Sequence, residues 1–320
     1  MNAQQSRGTA STAAVASGAL LTLAAGLGAP AALAWGLLLR TLLRRAHVAV
    51  PAWSASAAPW LLKVGVVTLG AGLELGHVLR VGRDGFAVTL GTLALTLSLG
   101  RWLTRRLGVE NDVGALVTFG TAICGGSAVA ATAPALRARG EHVGIALGVV
   151  FALNAVALVL FPPLGRLLGL SPEAFGRWCA VAIHDTSSVV GAAAAFDPAS
   201  LELATITKLA RALWIVPVVP LAALLRTKAG GAEPAERVRI PGFILAFVAV
   251  AALRSAVPAL GGLGDRVASL APLPLALALF VTGLGLRLDG LLGRARSATV
   301  LGVLLWSASA LVSLAWIQLR

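Results

Sequence analysis

The segment VAIHDTSSVVGAA, residues 181 to 193, sets His184, Asp185, Thr186, Ser187 and Ser188 in a row inside an otherwise apolar stretch. Serine, threonine and aspartate are the side chains that cap helix N-termini, so this spacing predicts a break near Asp185 and a new half-helix starting around Ser187 or Ser188. Such a start presents free amide groups and the positive end of a helix dipole, a site for an anion. His184 and Asp185 are titratable and are expected to carry any proton coupling. The same residues do not make a hydrolase, because neighbours on one helix point in different directions and cannot relay a hydrogen bond. The competing reading is an unbroken helix whose hydroxyls bond to carbonyls one turn back.

The cations are chosen unusually. The chain has 23 arginines and three lysines, yet Lys63 and Lys208 both fall inside apolar runs. An ionised group near the middle of a bilayer costs roughly 2.5–3.5 kcal/mol on the lenient insertion scale, so each must face protein, water or a ligand. Arg211, three residues after Lys208, shares its helical face. Lys63, Gly70, Glu74 and His77 likewise share a helical face, at offsets of seven, eleven and fourteen. Each cation alone could be half of a structural ion pair; together the three favour an anion site. A second interruption is expected in TAICGGSAVAATAPAL, where Gly125 and Gly126 followed by Ser127 weaken a helix and allow close backbone approach. The expected substrate-binding residues are therefore Lys63, Gly125, Gly126, Ser127, Thr186, Ser187, Ser188, Lys208 and Arg211. No metal site is expected; Glu74 with His77 is the only cluster that invites one.

Composition sets the elements that hold these residues. Of 320 residues, 58% are hydrophobic and 12% charged, which describes an all-α polytopic membrane protein. A net charge of +13 would suggest nucleic acid in a soluble protein, but the basic residues sit between apolar runs, so no nucleic-acid partner is expected. Cys124 and Cys179 read as small buried side chains. Splitting at charges and turn residues gives about eleven spans: 12–27, 30–44, 58–80, 85–104, 112–138, 141–166, 173–196, 201–226, 240–257, 268–287 and 295–317. With the N-terminus in the cytoplasm, sixteen Lys and Arg fall inside and seven outside, which makes 227–239 the main cytoplasmic loop. Residues 12 to 34 also resemble a secretory signal, but a retained first helix suits the charge pattern better.

Two echoes hint at duplication: VTLGAGLELGHVLRVG at 67–82 with VTGLGLRLDGLLGRA at 281–295, and Lys63 with Lys208. Their offsets conflict. The second is preferred; it pairs five helices with five, inverted, and matches the Gly125–Gly126 break to Thr282–Gly285. The expected organisation is one transmembrane domain over 1–320, with an extra N-terminal helix at 12–27, repeat one at 30–168 and repeat two at 173–318.

The motifs LLKVGVVTLGAGLEL, TAICGGSAVAATAPAL, AIHDTSSVVGAA, ATITKLARALWIVP and LFVTGLGLRLDGL, in that order from about residue 30 onward, resemble the YeiH-type family of bacterial membrane proteins, labelled sulfate exporters. That resemblance implies a multi-pass inner-membrane transporter related to bile acid:sodium symporters and cation/proton antiporters, with 10–11 helices, inverted five-helix repeats and crossed, discontinuous helices. Its recognisable positions here are Lys63, Gly125 to Ser127, His184 to Ser188, Lys208 and Arg211. The expected activity is secondary active transport of a small anion, sulfate or an organic sulfonate, by alternating access. No GxxxxGK[ST] motif provides for ATP drive, no cofactor is expected beyond a coupling H+ or Na+, and the partners are the substrate, the lipid bilayer and, as an option, a second copy in a homodimer. The alternative is a cation/proton antiporter in which Asp185 binds ion and proton by turns.

Overall fold

The computed structural model describes residues 3–27, 29–228, 242–285 and 295–319. Most of the loop at 227–239, together with Arg287, Arg294 and Arg320 of the charge count, lies outside them. Every regular element described is helical: α1 (Ala3–Ala24), α2 (Ala29–Arg45), α3 (Ser54–Gly70), α4 (Leu75–Asp84), α5 (Phe86–Arg106), α6 (Asn111–Ala122), α7 (Gly126–Ala135), α8 (Gly140–Leu167), α9 (Pro172–Ala182), α10 (Thr186–Phe196), α11 (Pro198–Ala212), α12 (Ile215–Lys228), α13 (Gly242–Ala256), α14 (Gly261–Ala268), α15 (Pro272–Gly285) and α16 (Arg296–Gln318), with a 3-10 turn at Pro258–Leu260. Among the described residues, five helical stretches are long and apolar enough to cross a bilayer: 86–106, 140–167, 198–224, 258–285 and 296–318. The chain is an all-α polytopic membrane protein.

The single domain expected divides into two compact units, residues 1–78 with 242–287, and 79–241 with 288–320. In the first, α15 packs between α2 and α3. Gly36 and Gly283 let α2 and α15 approach until backbone meets backbone; a Cβ on Gly283 would lie 2.9 Å from the Leu37 amide. Lys63 is exposed on α3. That helix stops at Gly70, Glu74 lies in the connection beyond it, and His77 belongs to α4, so the common helical face expected for these four residues does not form.

The second unit is organised by two helical hairpins, which corrects the spans expected at 112–138 and 173–196. Continued straight, the 25 residues from α6 through α7 would separate their ends by about 36 Å. Instead the Arg139 guanidinium meets Glu110 at 2.8 Å, and His142 lies 3.0 Å from the same carboxylate. The α6–α7 pair therefore enters the membrane and turns back to the face it came from. The α9–α10 pair does the same from the other face: Arg166 donates to the Ala195 and Phe196 carbonyls at 2.6 and 3.3 Å, and the Phe175 ring stacks on Phe196 at 3.9 Å over Gly165. Helix α8, 28 residues or about 42 Å long, connects the two and inverts the second. Neither hairpin crosses the membrane, and each carries two apolar helices of ten to twelve residues.

The supporting spans fix these positions. Helices α5 and α6 interlock reciprocally: the Thr118 side chain occupies the space a Cβ on Gly100 would need, Thr104 that of Gly114, and each hydroxyl donates back to the opposite glycine's partner on its own helix, Thr104 to Gly100 O and Thr118 to Gly114 O at 2.7 Å. Helix α16 begins beside this interlock, with Ala298 in a cluster with Leu103, Val113 and Leu136. It ends at the opposite face, where Trp316 shares a cavity lining with Asp84, Ser171 and Glu173. One face of the unit thus carries residues 101–112, 136–142 and 295–298, and the other 79–88, 164–177 and 195–200.

Single cysteines placed at Arg106 and Arg137, in a chain whose Cys124 and Cys179 are replaced, should react with an impermeant maleimide from the same side of the membrane. Cysteines at Leu168 and Ala199 should react only from the other. Labelling of residues 106 and 137 from opposite sides would restore the single-span reading of 112–138.

Candidate functional site

The tips of the two hairpins meet. The first tip is Ile123–Cys124–Gly125, between α6 and α7, and Gly125 adopts φ 69°, ψ −130°, a conformation essentially reserved for glycine. Space reinforces the choice, since a Cβ there would lie 3.2 Å from Asp185 Cα and 3.3 Å from its amide nitrogen. The second tip is Ile183–His184–Asp185. Here Asp185 is the N-cap of α10, its Oδ2 accepting from the Ser187 amide at 2.9 Å and from the Ser187 hydroxyl. The break and the cap expected from DTSS are both present, one residue earlier than the half-helix start anticipated.

Two helices, α6 and α9, end at these tips, and their last carbonyls have no intrahelical partner. In water this is harmless; at membrane depth it is not. Lys208 and Arg211 resolve it. The Lys208 ammonium donates to Ile183 O at 2.7 Å and to Ile123 O and Ala180 O at 3.4 Å, three donors for three carbonyls. The Arg211 fork takes Ala122 O through Nε at 2.9 Å, Thr121 O through Nη2 at 3.3 Å and Val181 O through Nη1. Each cation bridges both hairpins, and both are 0% exposed. They hold the backbone of the site and were not recognisable as such from the sequence, where they read as substrate ligands.

The structure gathers Gly125, Gly126, Ser127, His184, Asp185, Thr186, Ser187, Ser188, Lys208 and Arg211 in the second unit, at or beside the two tips. Ser127 is exposed, Gly126, Asp185 and Ser187 are half-buried, and Thr186 and Ser188 are buried. Lys63 belongs to the first unit. The break that faces Gly125 is at Asp185; Thr282–Gly285, expected to match the Gly125–Gly126 break, lies within α15.

Sequence reasoning missed Asn154. It sits at the middle of α8, 3% exposed, and its Oδ1 accepts from the His184 and Asp185 amides at 3.2 and 3.1 Å, tying the second tip to the spanning helix. A lone asparagine within VVFALNAVALVL was the available signal. A second missed signal is an offset of 60: AICGGSAV at 122–129 and AIHDTSSV at 182–189 are identical at four of eight positions, and these are the two tips.

Comparisons with known proteins agree on kinship. The family model described as conserved hypothetical protein 698 matches residues 10–301. The chain belongs to this family. A UPF0324 membrane protein of Bdellovibrio bacteriovorus is 46% identical over 250 residues, covering 77% of this chain and 76% of the relative. One from Photobacterium profundum is 41% identical over 266 residues, 83% and 80% of the two chains, and one from Bacteroides thetaiotaomicron 38% over 293 residues, 90% and 86%. The family is the YeiH type to which the motifs pointed. No solved structure matches.

Removing the Lys208 ammonium strands three buried carbonyls, so Lys208→Met should destabilise the folded protein by on the order of 3 kcal/mol. Gly125→Ala should cost about 1–3 kcal/mol from backbone conformation alone. Lys63→Met, at an exposed position, should leave the melting temperature in detergent within a degree of wild type. Equal melting of the Lys208 and Lys63 variants would contradict the bridging role.

Proposed function

We propose that the chain is a secondary transporter of a small anion and that the anion binds where the two hairpin tips meet. The observation that carries this reading is that Lys208 and Arg211 occupy three carbonyls at the end of α6, Thr121, Ala122 and Ile123, and three at the end of α9, Ala180, Val181 and Ile183. What remains available at the tips is the amide ends of α7 and α10. Counting about half a charge per helix end, the two cations offset both carbonyl ends with about one positive charge left over. The two amide ends add about one more, and the Asp185 carboxylate removes one. A net positive locus at membrane depth suits an anion and repels a cation. Gly126 and Ser127 on α7, and Thr186 and Ser188 on α10, supply backbone and hydroxyl donors, Ser187 being engaged by Asp185, while Lys208 and Arg211 act through the field and through the backbone they hold. Asp185, capping α10 and facing Gly125, is the group through which protons would couple to transport.

The same arithmetic disfavours the cation/proton antiporter. A sodium or potassium site at broken helices uses carbonyl ends, and here those are occupied by side-chain cations. Hairpins that enter from opposite faces and meet in the middle give each side of the membrane its own gate, which is the requirement of alternating access.

Localisation in the bacterial inner membrane follows the same reading. The face with residues 101–112 and 136–142 holds Arg101, Arg105, Arg106, Arg137, Arg139 and Arg296; the other face holds Arg80, Arg83, Arg166 and Arg177. Among the described side chains of this unit, six basic positions against four make the first face cytoplasmic.

Purified protein in liposomes should exchange one or more of sulfate, phosphate, methanesulfonate and chloride, at rates indifferent to replacing sodium by potassium or choline. Ser127→Asp puts a carboxylate at the second position of α7, where it favours the helix dipole but repels an anion. That variant should fold normally and lose at least about tenfold in exchange. Flux that follows cation identity instead would replace the anion reading with the antiporter.

A further inference from the structure

Two polar side chains that meet at the second hairpin tip, Asn154 of α8 and His184 of the tip itself, are buried and have unmatched atoms. Asn154 Oδ1 accepts from two backbone amides, which settles which end of the carboxamide is oxygen. Its Nδ2 therefore carries two N–H donors, and that nitrogen is fully buried without a partner. The His184 ring is 1% exposed, and neither of its nitrogens has a partner. A neutral imidazole always has one N–H to donate. Stranded buried donors are costly, and a native site tolerates them where a ligand or bound water completes the set.

We propose that Asn154 Nδ2 is a substrate-binding donor that, with the His184 ring, selects for an oxyanion. This rests on the anion reading above and adds to it a residue from α8, outside both hairpins. A carboxamide held at its oxygen end presents its N–H donors in a fixed direction; one of them, together with the His184 N–H, would meet two different oxygens of a tetrahedral oxyanion, a pairing that a single-atom halide does not offer. Asn154 joins the backbone of the tip to the ligand: the same side chain that fixes His184 and Asp185 in place contacts what they enclose. Binding would then stiffen the second tip through α8.

The test uses the full-length protein in detergent and liposomes, with sulfate as the probe and chloride as the anion without oxygens. Sulfate should raise the melting temperature of the wild type and slow hydrogen exchange in peptides covering 150–157 and 181–190. Asn154→Asp keeps an acceptor for the two tip amides and replaces the NH2 donors with an anionic oxygen. It should need about tenfold or more additional sulfate for the same rise in melting temperature. Unchanged sulfate dependence in Asn154→Asp overturns the proposal, and so does sulfate binding by wild type that leaves both peptides unprotected. If Asn154→Asp does not fold, the exchange measurement on wild type decides alone. Binding of chloride but not sulfate overturns the oxyanion assignment and leaves the anion reading standing; binding of neither, with cation-dependent flux, removes both.

Discussion

Two helix ends with bare carbonyls, buried at the level where a bilayer offers no water, are the constraint around which the second unit is arranged. A peptide carbonyl left unmatched there costs several kcal/mol, and α6 and α9 together expose several. Lys208 and Arg211 answer that cost from one face of α11, each reaching both hairpins. The choice of lysine at 208 and arginine at 211 follows from shape. A compact ammonium suits three carbonyls converging on a point, and a planar fork suits carbonyls spread along two chains. Once these bonds form, the two tips are held to each other, and Gly125 lies so close to Asp185 that an added Cβ would come within 3.2 Å of its Cα.

The remaining architecture follows from bringing two tips to that point from opposite faces. Each half-helix of ten to twelve residues reaches about 15–18 Å, half a bilayer. Between them a single spanning helix must run, and α8 does so with Asn154 at its midpoint. The 60-residue offset between the tips is the length of one spanning helix plus one hairpin. An odd number of crossings between the two hairpins inverts the second relative to the first.

Much of this was legible in the residues, though not always in its role. The cap at Asp185 and the weakness at Gly125–Gly126 were readable because capping and glycine conformation are local chemistry. The two lysines inside apolar runs stood out, but the sequence cannot say whether a cation there serves a ligand or the backbone. Lys208 serves the backbone, and Lys63, on a helix that ends at Gly70, is exposed. The hairpins were read as spans for a physical reason: 25 apolar residues with a polar centre have the same length and hydropathy whether they cross once or turn back. Only long-range pairs decide, here Glu110 with Arg139 and Arg166 with Ala195. Asn154 was overlooked because a single amide in an apolar helix carries no periodic pattern; its meaning lies in the two amides it meets.

The turn-back of the first hairpin underlies the meeting of the tips, the anion locus and the assignment of faces. Spin labels at Asn111 and Glu141, both exposed, measure it directly by double electron–electron resonance in lipid nanodiscs. The account predicts a short distance, well under the roughly 36 Å that a continuous 25-residue helix would impose. A distribution centred at or beyond that length would mean that residues 111–135 cross the membrane, and would contradict it.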